Sequence, residues 1–268
     1  MKQLILLIAL IVLIGCSKDT DRIQITNLSF NFEHTVGGEQ LVMHPWGMCS
    51  QPAGEDCEPG HACCGEDLNY VNLAGDQYNI QTLLYVISDI YLHSADGGMQ
   101  LLKKAHFVDG ENPATLRFPA GELDNGSYSK ISFTMGLSAD RNIPGDYPDF
   151  PDGFSWPADP LGDPALTAYH YMQLEGAYDT ITKMYNTHTG PLTGMDMSFN
   201  KEFDISLNVN DDLGDVAVFV NMELNNWYQN PNNISFHDYP NTMFNVDAQH
   251  ELKLNGETDV FTVTTTNR

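Results

Sequence analysis

The 268-residue sequence carries no GxSxG elbow, no HExxH pair and no Walker-type glycine loop, the short motifs that mark a nucleophilic serine, a zinc-activated water or a phosphate cradle. Carboxylates are plentiful but form no recognisable catalytic pair, so the chain reads as a protein without catalytic turnover. Positive charge is scarce: 12 Lys and Arg stand against 36 Asp and Glu, for a formal charge of −24. A chain of that sign repels a phosphate backbone, which excludes nucleic acid as a partner, and it gains nothing from anionic lipid. After the first residues no apolar run is long enough to cross a bilayer. Cysteine occurs only at position 16 and in one short segment.

What is present begins with Met1-Lys2-Gln3 and the apolar run LILLIALIVLIG, too short and too early for an ordinary membrane span. The run ends in Leu13-Ile14-Gly15-Cys16, a small residue followed by cysteine, which matches the bacterial lipobox. Residues 1–15 are therefore expected to be a lipoprotein signal peptide and Cys16 the lipidated first residue of the mature chain. Residues 16–24, which include SKDTDR, would form a flexible tether. The expected location is the outer membrane, facing periplasm or cell surface, with the lipid as the only membrane contact.

Cys49, Cys57, Cys63 and Cys64 all fall within MCSQPAGEDCEPGHACCGED. An even number of cysteines in an oxidising compartment points to two disulfides stapling one loop. Adjacent cysteines seldom pair with each other, so Cys63 and Cys64 would each reach back to Cys49 or Cys57, in an order the sequence leaves open. A thiolate metal site is the alternative, and His44 and His61, beside Met43 and Met48, are a possible second metal site in the same loop.

Alternation of apolar and polar residues predicts strands at 23–32, 82–92, 128–137, 202–209, 215–224 and 259–263. Turn signals between them, such as Ala95-Asp96-Gly97-Gly98 and Asn125-Gly126, fit an all-β, antiparallel, Greek-key-like sandwich forming a single domain over residues 25–265. Only 241–256 reads as helix, with Gly256 as its stop. Two long insertions interrupt the pattern, from about Met43 to Ala74 and from Asn142 to about Ala165. Loops of that length are commonly functional, and the second carries Phe150, Phe154 and Trp156.

The candidate chemistry lies just beyond that second loop. In TAYHYMQLEG (167–176) strict alternation would put His170 and Met172 on one face, opposite Tyr169, Tyr171 and Gln173. MYNTHTGP (184–191) offers His188 before a Gly-Pro turn. Two neighbouring strands would bring the imidazoles together, and imidazole with thioether is a donor set that suits copper. His34, at the end of the strand LSFNFE, is expected near the same site. His93, His106, His237 and His250 read as surface or turn residues.

The blocks LSFNFEHTVGGEQLV, YNIQTLLYVISDIYL, PAGELDNGSYSKISFTMGLSADRN, AYHYMQLEG, NTHTG, NWYQNP and NGETDVFTV occur in this order over most of the mature chain. Together they resemble the MbnP-like copper-binding proteins. The resemblance implies an all-β domain with copper held by histidines, here His170 and His188. It also implies a nearby tryptophan, here Trp156, oxidised to kynurenine by a di-haem peroxidase-like partner, and a role in copper acquisition or handling alongside an outer-membrane transporter. The SWPADP context of Trp156 and the cysteine-rich insertion depart from the family pattern. A metal-free surface lipoprotein that holds a glycan or protein partner through the aromatic loop is the competing reading.

Overall fold

The computed structural model describes residues 26–43, 68–157, 168–192, 195–210 and 213–267. Cys16, Cys49, Cys57, Cys63, Cys64, His44 and His61 lie outside the described residues. Strand accounts for 51% of the structure and helix for 10%, so the chain is all-β, with the antiparallel sandwich as its frame.

The strands are β1 (Thr26–Val36), β2 (Glu39–Gln40), β3 (Tyr70–Val71), β4 (Gln77–Tyr78), β5 (Thr82–Ser94), β6 (Met99–Asp109), β7 (Arg117–Leu123) and β8 (Gly126–Met135). They continue with β9 (Ser155–Trp156), β10 (Ala168–Tyr169), β11 (Met172–Tyr178), β12 (Thr180–Thr189), β13 (Phe199–Val209), β14 (Val216–Glu223) and β15 (Phe261–Asn267). One sheet runs β15-β14-β1, with β2 and β7 also paired to β1. Its β1–β14 pairing is parallel, from Leu28↔Val216 to Thr35↔Glu223, a departure from the otherwise antiparallel design. That pairing is open to the chain because the two strands are far apart in sequence and a long crossover joins them.

The second sheet is organised along β5, whose edge is shared. Residues 82–85 of β5 pair with β11, and residues 87–94 pair with β8. At the junction, Val86 N donates to Tyr171 O and Val86 O accepts from Gly136 N. Gly136 sits at φ +87°, and a Cβ there would stand 2.5 Å from the Tyr171 ring, so only glycine lets β8 end where β11 begins. The second long loop leaves and returns at this break, which places its aromatics against the sheet.

The two faces of this sheet serve different cores. Tyr85, Ile87, Met172 and Leu174 point between the sheets, where they meet Phe30, Phe32 and Val218. Val86 points the opposite way, into a smaller cluster of Leu137, Phe154, Trp156, Tyr169, Tyr171, Leu192 and Met197. The alternating side chains of β1, buried at Leu28, Phe30, Phe32, His34 and Val36, are what a strand with one core-facing side should show.

One α-helix, α1 (Val246–Thr258), follows an Asn245 cap whose side chain accepts from Ala248 N. Gly256 does not stop it. That glycine lies within the last turn because a Cβ would meet Phe199 at 2.4 Å and Trp227 at 2.7 Å, so its absence of side chain serves packing and not chain reversal. The preceding Asn255 is fully buried and bonds Trp227 O and Asn232 O. Among the described residues no helix is long and apolar enough to cross a membrane.

Candidate metal centre

The antiparallel β9–β10 ladder pairs Trp156 with Ala168, and the chain then bends at His170 and Tyr171 before β11 begins. Across β11, Gln173 stands opposite His188 of β12. The bend breaks the alternation assumed from sequence. His170 turns to the Gln173 side, while Met172 faces the intersheet core, fully buried and in register with Tyr85. His170 and Met172 therefore do not share a cavity, and the thioether is walled off from the imidazoles.

The imidazoles themselves converge. The rings of His170 and His188 lie 5.0 Å apart between centroids and are nearly perpendicular, at 2% and 8% exposure. His170 Nδ1 lies 3.1 Å from Phe154 O, whose carbonyl also accepts the His170 backbone N–H. A carbonyl can only accept, so Nδ1 carries the hydrogen and Nε2 keeps its lone pair. His188 Nε2 lies 2.5 Å from Glu175 Oε1, and its Nδ1 is buried with no hydrogen-bond partner. Gln173 Nε2 donates to Gly153 O at 3.0 Å and lies 3.4 to 3.5 Å from the His170 ring nitrogens.

Trp156 completes the wall. Its ring stands 4.9 Å from His170 and 5.6 Å from Phe244, at 1% exposure, and its indole nitrogen is buried without an acceptor. A Cβ on Gly190 would come within 2.3 Å of that ring, so the Gly-Pro turn after β12 supplies the space the indole occupies. Phe154 is fully buried too. Among the described residues of this loop, Phe154 and Trp156 thus turn inward, while Tyr147 and Phe150 are partly buried against them.

Burial shapes the electrostatics. It pushes His170 down to about 4, helped by repulsion from His188, so this imidazole is neutral at ordinary pH, the form that binds metals. Glu175 is held below the usual carboxylate range, first by its hydrogen bond with His188. Two imidazoles in a buried site walled by Trp156 and Phe154 suit a borderline or soft ion such as copper.

His34 is not part of this centre. It lies within β1, 3% exposed, with Nε2 3.0 Å from Tyr85 Oη, and Tyr85 points to the face of the sheet opposite Gln173 and His188. His106 is not a surface residue either: it is buried, stacked on Phe32, and bonded to Lys103 Nζ and Thr115 O. Glu175 and Gln173 were missed from sequence. Only part of their signal is local: MQLEGAYDTITKMYNTHT reads as a hairpin turning near Asp179, but it is the register shift between Ala177 and Tyr178 that sets Gln173 against His188, with Glu175 two residues along on the same face.

A further grouping among the described residues joins Asp76, Asp179 and His237, with ligand atoms within 4.8 Å of one another. His237 Nε2 lies 3.0 Å from Asp179 and 3.6 Å from Asp76, and Lys183 Nζ also reaches Asp179 at 3.0 Å. This cluster already holds a cationic partner in Lys183.

The MbnP family profile matches residues 25–244, which include Trp156, Glu175 and both histidines. Among solved structures, MbnP from Methylosinus trichosporium is similar, with a TM-score of 0.51 at 11% identity, covering 91% of this chain and 100% of its own. At that identity the likeness is one of fold. No curated protein matches.

Proposed function

The chain belongs to the MbnP family, and from this premise we propose that it is an exported copper-binding lipoprotein, without catalytic turnover, that takes part in copper acquisition or handling. The observation that carries the reading is the buried pair His170 and His188: His188 Nδ1 has no hydrogen-bond partner, and His170 Nε2 has only the Gln173 amide nitrogen at 3.4 Å. A buried, unpaired imidazole lone pair is costly unless a ligand uses it. These residues fit copper, and bound copper would supply a redox-active centre held by nitrogen donors. His170 would bind through Nε2 and His188 through Nδ1. The Phe154 carbonyl orients the first ring and Glu175 the second, while Trp156 and Phe244 keep water out.

Trp156 is the residue that matches the modifiable tryptophan expected of the family, and its place against His170 supports that assignment. A di-haem peroxidase-like partner would act on it, and an outer-membrane transporter is the other expected partner. The deciding experiment is elemental analysis and copper titration of the folded mature protein. One tightly held copper per chain is expected, and a folded protein that retains none would end the reading.

The location rests on Cys16. Replacing it with serine is expected to move the protein from the membrane fraction to the soluble fraction with unchanged thermal unfolding, because the lipid would be its only anchor. Fractionation followed by immunoblotting checks this, and continued membrane retention would refute it.

A further inference from the structure

We propose that Glu175 is a positioning residue that holds His188 as the Nε2–H tautomer and thereby makes the buried Nδ1 its donor atom for copper. The proposal rests on the copper reading for its ligand, but its structural half stands on the metal-free protein.

A neutral imidazole has one N–H and one lone pair, and the surroundings decide which nitrogen has which. At His188 the two alternatives are unequal. With hydrogen on Nε2, the N–H donates to Glu175 Oε1 at 2.5 Å, and the lone pair remains on Nδ1. With hydrogen on Nδ1, a lone pair would face a carboxylate oxygen, and a buried N–H would have no acceptor. Both consequences are unfavourable, so the first tautomer wins.

Glu175 can do this because of where the ladder puts it. It lies two residues from Gln173, which faces His188 across the β11–β12 pairing, so its side chain shares the face of the histidine ring. On its other side it pairs with Thr82 of β5. The backbone of Glu175 is thus held between two strands, which fixes the direction from which its carboxylate reaches His188. His170 is fixed by a different device, the Phe154 carbonyl on its Nδ1, and so offers the other kind of nitrogen. The two rings present unlike nitrogens, Nε2 and Nδ1, from nearly perpendicular planes. A carboxylate behind a ligating histidine fixes ring orientation and raises its basicity, and loss of such a partner typically lowers metal affinity about 10- to 100-fold.

The test uses the mature protein and two variants, Glu175→Gln and Glu175→Leu. Long-range proton–nitrogen NMR of the metal-free wild type should show His188 protonated at Nε2. The glutamine carbonyl can still accept that hydrogen, so E175Q should keep the tautomer, whereas E175L should show it mixed or reversed. Copper titration against a competing chelator should show affinity falling about 10- to 100-fold in E175L and less in E175Q. An Nδ1–H tautomer in the wild type overturns the proposal. So does an E175L protein that keeps both the Nε2–H tautomer and wild-type affinity. If E175L fails to fold, the wild-type and E175Q spectra decide. A wild type with the expected tautomer that binds no copper refutes the copper reading instead, and the two failures are thereby distinguished.

Discussion

Either His170→Ala or His188→Ala is expected to remove most of the copper affinity, and the double variant to leave no specific site. The expectation follows from the chelate. Two imidazoles fixed by separate hydrogen bonds are preorganised at a centroid separation of 5.0 Å, and deleting one leaves a single imidazole donor beside Glu175 and Gln173. The loss should exceed the roughly 10- to 100-fold that removal of an orienting partner produces, because here a donor atom itself is gone. Met172→Leu is the control. Its sulfur lies in the intersheet core with Tyr85, so binding of either copper oxidation state should be unchanged, contrary to what alternation along TAYHYMQLEG suggests. Competition titrations on variants with native-like unfolding curves measure all four proteins. Full affinity in the double variant would place the site elsewhere.

Acid is expected to destabilise the metal-free protein strongly between about pH 6.5 and pH 4, through histidines that take no part in the centre. Burial holds both His34 and His106 down to about 4, with the nearby Lys103 ammonium adding to the effect at His106. In the unfolded chain both titrate near 6.5. Within that window the unfolded state therefore binds protons that the folded state refuses, so stability rises with pH and is lost as pH falls. Below about 4 both states are protonated and the slope flattens. A gap of this size corresponds to about 3 kcal/mol for each residue, a large part of the stability of an ordinary domain. The net charge of −24 works the other way, since acid relieves self-repulsion. A comparison with His34→Gln isolates the histidine contribution: its urea-unfolding free energy should vary less steeply with pH over this window. Identical slopes in the two proteins would refute the assignment.

The frame was legible from sequence because period-2 alternation survives wherever a strand has one core-facing side. β1, β5, β8, β13, β14 and β15 all fall on stretches read as strands. β6 was harder to see because its outer half, Met99–Lys104, is mostly exposed and lacks a buried alternate row. At the centre, His170, His188 and Trp156 were identifiable as residue types near turns, but their grouping depends on the break between β8 and β11 at Val86, a long-range event that leaves no local trace. The bend at His170 cost the Met172 assignment. His34 looked like a strand-end ligand, yet it is a core residue satisfied by Tyr85, and no local pattern distinguishes the two. Gly256 shows the same limit, since a stop signal and a close-packing position use the same residue for different reasons.

The parallel pairing of β1 with β14 has a consequence for how the chain reaches its native state. Leu28 meets Val216, 188 positions away, and the central strand of that sheet has β7 on one side and β14 on the other. The strand nearest the start of the fold thus cannot be fully flanked until the last third of the chain is in place. Local hairpins such as β5–β6 and β11–β12 can form early, because their loop-closure cost is small. The sheet built on β1 must wait for a long excursion of chain to close, which makes it a late and slow event in a protein dominated by non-local contacts. Until then the apolar row of Leu28, Phe30 and Phe32 lies open on one side, and anything that holds or shields that row during folding acts on the step that commits the whole domain.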